Sequence, residues 1–100
     1  MEFHARKLLT IVTEAAVEHR LTEEIERLGA PGYTVTDARG KGDRGIRDAH
    51  SEMAANVRIE TIVDESVVDS IIVHLKEHYF ANYAIICFVS DVEVLRPAKF

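Results

Sequence analysis

The chain has 100 residues, 47% of them hydrophobic and 29% charged, with a formal net charge of −5. That balance describes a globular chain, residues 1–100 read as a single domain with room for one core. The acidic sum argues against nucleic acid as a partner. No apolar run reaches a bilayer-spanning length, so direct membrane insertion is not expected, and no signal peptide is visible, which points to the cytoplasm.

Residues 7–12, Lys-Leu-Leu-Thr-Ile-Val, are a short apolar, β-branched run and read as the first strand. A helix follows over about residues 14–28, with Val17, Leu21, Ile25 and Leu28 on one face. Glu18, Arg20, Glu23, Glu24, Glu26 and Arg27 fall mostly on the other face. Gly29 is the expected left-handed stop, and Pro31 prevents continuation. Residues 33–36 read as a second strand. Residues 56–63 alternate, with Val57, Ile59, Thr61 and Val63 on one side, and read as a third. A second helix spans about residues 65–80, with Val68, Ile71, Ile72, Leu75 and Tyr79 on one stripe. Residues 84–89, Ala-Ile-Ile-Cys-Phe-Val, read as a fourth strand. Asp91 is expected to break it, with a short fifth strand over residues 92–95.

The order β-α-β-β-α-β predicts an α+β, ferredoxin-like fold with both helices on one face of an antiparallel sheet. The fourth strand is apolar at every position, so both of its faces favour burial. Helices on one face leave the other uncovered, and a monomer rarely exposes such a patch. Oligomerisation through the open sheet face is therefore expected.

The connection between the second and third strands is long, at roughly 16–18 residues, which favours a functional loop over a plain turn. It carries Gly40, Gly42 and Gly45, the cations Arg39, Lys41, Arg44 and Arg47, and one acid, Asp43. Glycines let the backbone adopt φ > 0 and approach a ligand, and backbone N–H groups with Arg forks suit a phosphate. The pattern is neither a P-loop nor a Gly-x-Gly-x-x-Gly fingerprint. A mobile charged loop is the plain alternative. Local positive charge on an acidic body suggests a small anion as ligand.

Several runs together resemble the PII signalling superfamily, in its PII-like branch associated with carboxysomes and bicarbonate uptake. They are Val12-Thr13-Glu14, Gly29-Ala30-Pro31-Gly32-Tyr33-Thr34-Val35, Gly40-Lys41-Gly42-Asp43-Arg44-Gly45-Ile46-Arg47, Ala55-Asn56-Val57-Arg58-Ile59-Glu60, Tyr79-Phe80-Ala81-Asn82-Tyr83-Ala84 and Val92-Glu93-Val94-Leu95. The resemblance implies a homotrimer with adenine-nucleotide sites between subunits. It also implies a flexible loop that changes order with ligand and touches a bicarbonate transporter or a carboxysome-related protein. Bicarbonate is bound beside the nucleotide in some members. The chain departs from nitrogen-sensing PII proteins in three places. Phe80 to Tyr83 stand where those carry a glycine-rich phosphate loop, no Tyr lies between Tyr33 and Tyr79, and no glutamine stands in the glycine-rich stretch.

By this resemblance the nucleotide-binding residues are Gly32, Tyr33, Thr34, Gly40, Lys41, Gly42, Arg44, Arg47, Phe80, Asn82 and Tyr83. Lys41, Arg44 and Arg47 are the bicarbonate candidates. The ligands implied are AMP, ADP, ATP or cyclic AMP, with no tightly bound cofactor. Each residue also has a plainer reading: Tyr33 as a strand aromatic, Phe80 and Tyr83 as core at a helix end, the cations as solvated charges. His74 and His78 are spaced i, i+4 on the second helix, a metal-compatible spacing without a third ligand nearby in sequence, and no metal is expected. No nucleophile–base or acid–base pair can be placed by spacing, so a sensor, not an enzyme, is expected. The alternative is a small ferredoxin-like hydrolase acting on a nucleotide or acyl phosphate, with Arg44 as its clamp.

Overall fold

In a computed structural model, residues 1–42, 45–46 and 55–100 are described, the side chains of residues 41, 42, 45 and 46 excepted. The strands are β1 (His4–Glu14), β2 (Thr34–Ala38), β3 (Lys41–Gly42), β4 (Gly45–Ile46), β5 (Asn56–Val63) and β6 (Ile86–Val94); the helices are α1 (Glu18–Arg27) and α2 (Glu65–His78). Strands β2-β5-β1-β6 form one antiparallel sheet in that order, and β3 pairs with β4 in a separate short hairpin. This is the expected ferredoxin-like arrangement, with the hairpin added inside the long loop. Arg44, Arg47 and the rest of the loop expectation, residues 43–44 and 47–54, lie outside the described residues.

β1 is longer than its apolar run because it is paired on both sides. Its residues 7–14 face β5 and its residues 4–12 face β6, so its polar ends are held in the ladder. β6 is one strand and not two. Asp91 does not break it, because Asp91 lies opposite Lys7, whose ammonium donates to its carboxylate. α1 begins later than the periodicity predicts. Glu14 still pairs with Asn56 in the sheet, the Ala15 N–H donates to Ala55 O at 2.9 Å, and residues Ala15–Val17 form a 3-10 turn. α1 ends as expected at Gly29, with φ 118°. Ala30 N–H reaches Ile25 O at 3.0 Å and Gly29 N–H reaches Glu26 O at 3.1 Å, the paired bonds of a Schellman cap.

The core lies between the helices and one sheet face. Leu9, Ile11, Ile59 and Val63 from the sheet meet Leu21 and Ile25 of α1 and Ile71, Leu75 and Tyr79 of α2 and its end, all fully buried. Each such aliphatic side chain contributes about 1.5–3 kcal/mol relative to exposure. The cross-strand pairs assign the other face: Val12 opposite Ile86, Thr10 opposite Phe88 and Leu8 opposite Ser90 all point away from the helices. There Ile86 is 58% and Phe88 53% exposed. Cys87 is half-buried at the margin of the core on the helix side.

Candidate functional site

Strand register brings the loop base and two connections to one end of the sheet. Ala38 pairs with Asn56, Asn56 with Glu14, and Val12 with Ile86. The long loop therefore leaves β2 and re-enters β5 beside the turn that carries β1 into α1. α2 runs back toward the same end, where residues 79–85 lead it into β6. Gly40, Phe80, Asn82 and Tyr83 are thus brought to one end, together with the backbone of Lys41 and Gly42 in the β3–β4 hairpin. Gly32, Tyr33 and Thr34 are not. Thr34 pairs with Glu60, so it lies about 13 Å along the sheet edge from Ala38 at the usual strand rise. Thr61 Oγ1 donates to Gly32 O at 2.7 Å and fixes that entry, while Tyr33 is 43% exposed.

Gly29 is the only described glycine with positive φ, so Gly32 and Gly40 do not use the left-handed freedom expected of the loop glycines. A Cβ built at either would meet nothing within 4 Å. Nothing within the described chain requires glycine at these two places, and both keep an open, side-chain-free backbone.

The turn of residues 79–85 has two sides. Tyr79 is fully buried and Tyr83 packs against the core, whereas Phe80 is 37% exposed and Asn82 is exposed. Inside the turn, Asn82 N–H and Tyr83 N–H both reach Tyr79 O, at 3.1 and 3.0 Å. On its inner side lies a polar network that helical periodicity did not reveal. Arg20 Nε donates to Tyr79 Oη at 3.0 Å and Arg20 Nη2 to Tyr83 Oη at 3.3 Å. The guanidinium carbon lies 4.8 Å from the Tyr79 ring centroid and 5.5 Å from that of Tyr83. Tyr79 Oη donates in turn to Glu24, and Glu24 Oε1 lies 3.0 Å from His74 Nε2. Arg20 and Glu24, assigned to the solvent face of α1, flank its apolar stripe and face α2. Their i, i+4 spacing beside two tyrosines at the end of α2 was the available signal.

Burial works to raise the Glu24 pKa, but hydrogen bonds from Tyr79 and His74, and the charges of His74 and Arg20, outweigh it and hold the carboxylate below its ordinary 4.5. His74 and His78 have ring centroids 4.6 Å apart. Among the described residues, no group of three or more His, Cys, Asp or Glu side chains is arranged to hold a metal ion. A shallow groove of about 690 Å³ lies at the opposite end of the sheet, lined by Arg6, Lys7, Asp64, Glu65, Asp91 and Glu93 among others, away from the loop. No helix among the described residues is long and apolar enough to cross a membrane.

The chain is similar in sequence and structure to proteins of one kind. A PII-like signalling protein from Thermus thermophilus is 49% identical with a TM-score of 0.87, over 100% of this chain and 99% of that one. CPII from Thiomonas intermedia K12, a nitrogen regulatory PII-like protein solved bound to ADP, AMP and bicarbonate, is 30% identical with a TM-score of 0.89, over 99% of this chain and 96% of that one. The Bacillus subtilis GlnK–ATP complex, 21% identical with a TM-score of 0.64 over 88% of this chain and 84% of that one, shares the fold. A family model described as nitrogen regulatory protein P-II matches residues 6–99, and with the sheet order, the long β2–β5 loop and these likenesses the chain belongs to the P-II family, as a PII-like signalling protein.

Proposed function

We propose that this protein is a non-enzymatic cytoplasmic sensor. It binds AMP or ADP, with ATP and cyclic AMP as further candidates, takes bicarbonate as a second ligand, and regulates inorganic-carbon uptake or fixation through its long loop. The observation that carries the reading is the gathering of the loop base and the turn of residues 79–85 at one end of the sheet, in a chain 30% identical to a protein solved with ADP, AMP and bicarbonate. In this proposal Arg44, Arg47 and Lys41 hold phosphate or bicarbonate, and the backbones of Gly40, where nothing crowds the chain, and Gly42 approach the ligand. Phe80, Asn82 and Tyr83 line the base. Gly32, Tyr33 and Thr34, which lie apart from these within one subunit, complete the cleft in a homotrimer. The regulated partner is a bicarbonate transporter or a carboxysome-related protein.

Calorimetric titration with AMP, ADP, ATP and cyclic AMP, each with and without bicarbonate, tests it. Charge-assisted hydrogen bonds contribute about 1.5–3 kcal/mol each. Arg44→Ala or Arg47→Ala is therefore expected to weaken ADP roughly 10- to 100-fold, while Arg39→Ala changes little. Failure of all four nucleotides to bind overturns the proposal, and steady turnover of ATP or ADP at ordinary enzyme rates replaces it with a hydrolase.

A further inference from the structure

Residues 79–85 present Phe80 and Asn82 outward, yet the turn belongs to no helix or strand that would hold it. Two of its hydrogen bonds are local: Tyr83 N–H to Tyr79 O and Ile85 N–H to Tyr83 O, each at 3.0 Å. On its inner side Tyr79 lies in the core and Tyr83 and Ile85 pack against it, and a side chain from another element joins the two phenol hydroxyls. Arg20 of α1 contacts both tyrosines of the turn, donating to each phenol oxygen and lying over both rings. The rings are 5.6 Å apart and inclined by 43°, so a single planar guanidinium spans them. Only a fork with several donors in one plane can do this; an ammonium on a flexible stem cannot reproduce it. Arg20 itself is exposed, so it costs little desolvation, and its far contact is set by Tyr79, which is fully buried.

We propose that Arg20 is a positioning residue for ligand binding: by joining Tyr79 to Tyr83 it fixes the backbone of the turn and so the placement of Phe80 and Asn82. The proposal rests on the reading of this turn as part of the nucleotide site. Glu24 supports the same device from the other side. It accepts from Tyr79 and lies beside His74, so the inner tyrosine is held between an arginine and a carboxylate of one helix.

Arg20 acts in this proposal through the turn and not on phosphate. Arg20→Ala is therefore expected to weaken ADP and adenosine by the same factor, roughly 5- to 20-fold, the size of coupling between contacting residues. Arg20→Lys should fail to restore affinity. Tyr83→Phe, which removes only the hydroxyl, should cost less, and Arg20→Ala/Tyr83→Phe should bind no worse than Arg20→Ala alone. Hydrogen exchange without ligand provides the second measurement. The amides of Asn82, Tyr83 and Ile85 should exchange faster in Arg20→Ala, while those of β5 remain protected. Parent-like affinity in Arg20→Ala, additive losses in the double variant, or loss of ADP with adenosine unchanged would each overturn the positioning role; the last would make Arg20 a phosphate ligand. If Arg20→Ala does not fold, Arg20→Lys and Tyr83→Phe carry the same comparison. A parent protein that binds no nucleotide refutes the proposed function alone, because the exchange experiment still decides whether Arg20 holds the turn.

Discussion

Tyr79 concentrates the polar chemistry of the fold in one side chain. It is fully buried, donates to Glu24 and accepts from Arg20 at 3.0 Å. Burial first, and the bond to Glu24 second, raise its pKa above the ordinary 10.0 despite Arg20. A raised value means that its contribution to stability is complete below about pH 10 and is lost as pH rises through the folded value. Glu24 has a lowered value, so its contribution is present above pH 4.5 and is lost as pH falls through the folded value. Tyr79→Phe should cost about 1–3 kcal/mol at pH 7, because it leaves a part-buried carboxylate and a guanidinium without their shared partner. It should also flatten the alkaline limb of the stability profile. Urea unfolding of parent and variant at pH 7 and at a pH above 10 checks both. A parallel fall of the two proteins in alkali would assign that limb to other groups.

At the scale of elements, the cap of α1 depends on Gly29. Its φ of 118° is strained for any side chain, and an added Cβ would lie 3.2 Å from Val67 Cγ2 on α2. Gly29→Ala should therefore destabilise by more than about 1 kcal/mol in a thermal or urea melt. Unchanged stability would mean that the cap relaxes freely. This cap was legible in the sequence, as was β5, because a left-handed stop and a two-residue alternation are local patterns. β6 was misread at Asp91, since a charge inside a strand looks like a break until the opposing Lys7 is known. The 3-10 turn was missed for the same reason: Glu14 is kept in the sheet by Asn56, far away in sequence. The motifs named Gly40, Phe80, Asn82 and Tyr83, which the sheet and α2 bring to one end, but they also named Gly32, Tyr33 and Thr34, which strand register keeps apart from them. Arg20 and Glu24 were not legible, because helical periodicity separates apolar from polar faces but does not say which polar flank meets a second helix.

At the scale of the whole molecule, one sheet face carries no helix among the described residues, and Ile86 and Phe88 stand on it more than half exposed. A second and third copy covering that face would bury them, so light scattering at micromolar concentration should give about three chain masses. Phe88→Asp should yield monomers of unchanged circular dichroism, since Phe88 supports little within its own subunit and a charge in an apolar interface is costly. A trimer that survives this change would place the interface elsewhere. The inner tyrosine also gives the molecule an optical character. The chain has no tryptophan and three tyrosines, so its ultraviolet emission comes from phenols alone. A phenol bonded to a carboxylate passes its proton across on excitation and goes dark. Tyr79, donating to Glu24, is in that state when folded, while Tyr33 stands exposed at the sheet edge. The native protein should therefore emit less than its tyrosines would separately, and tyrosine fluorescence should brighten when the grip of α1 on the end of α2 is released.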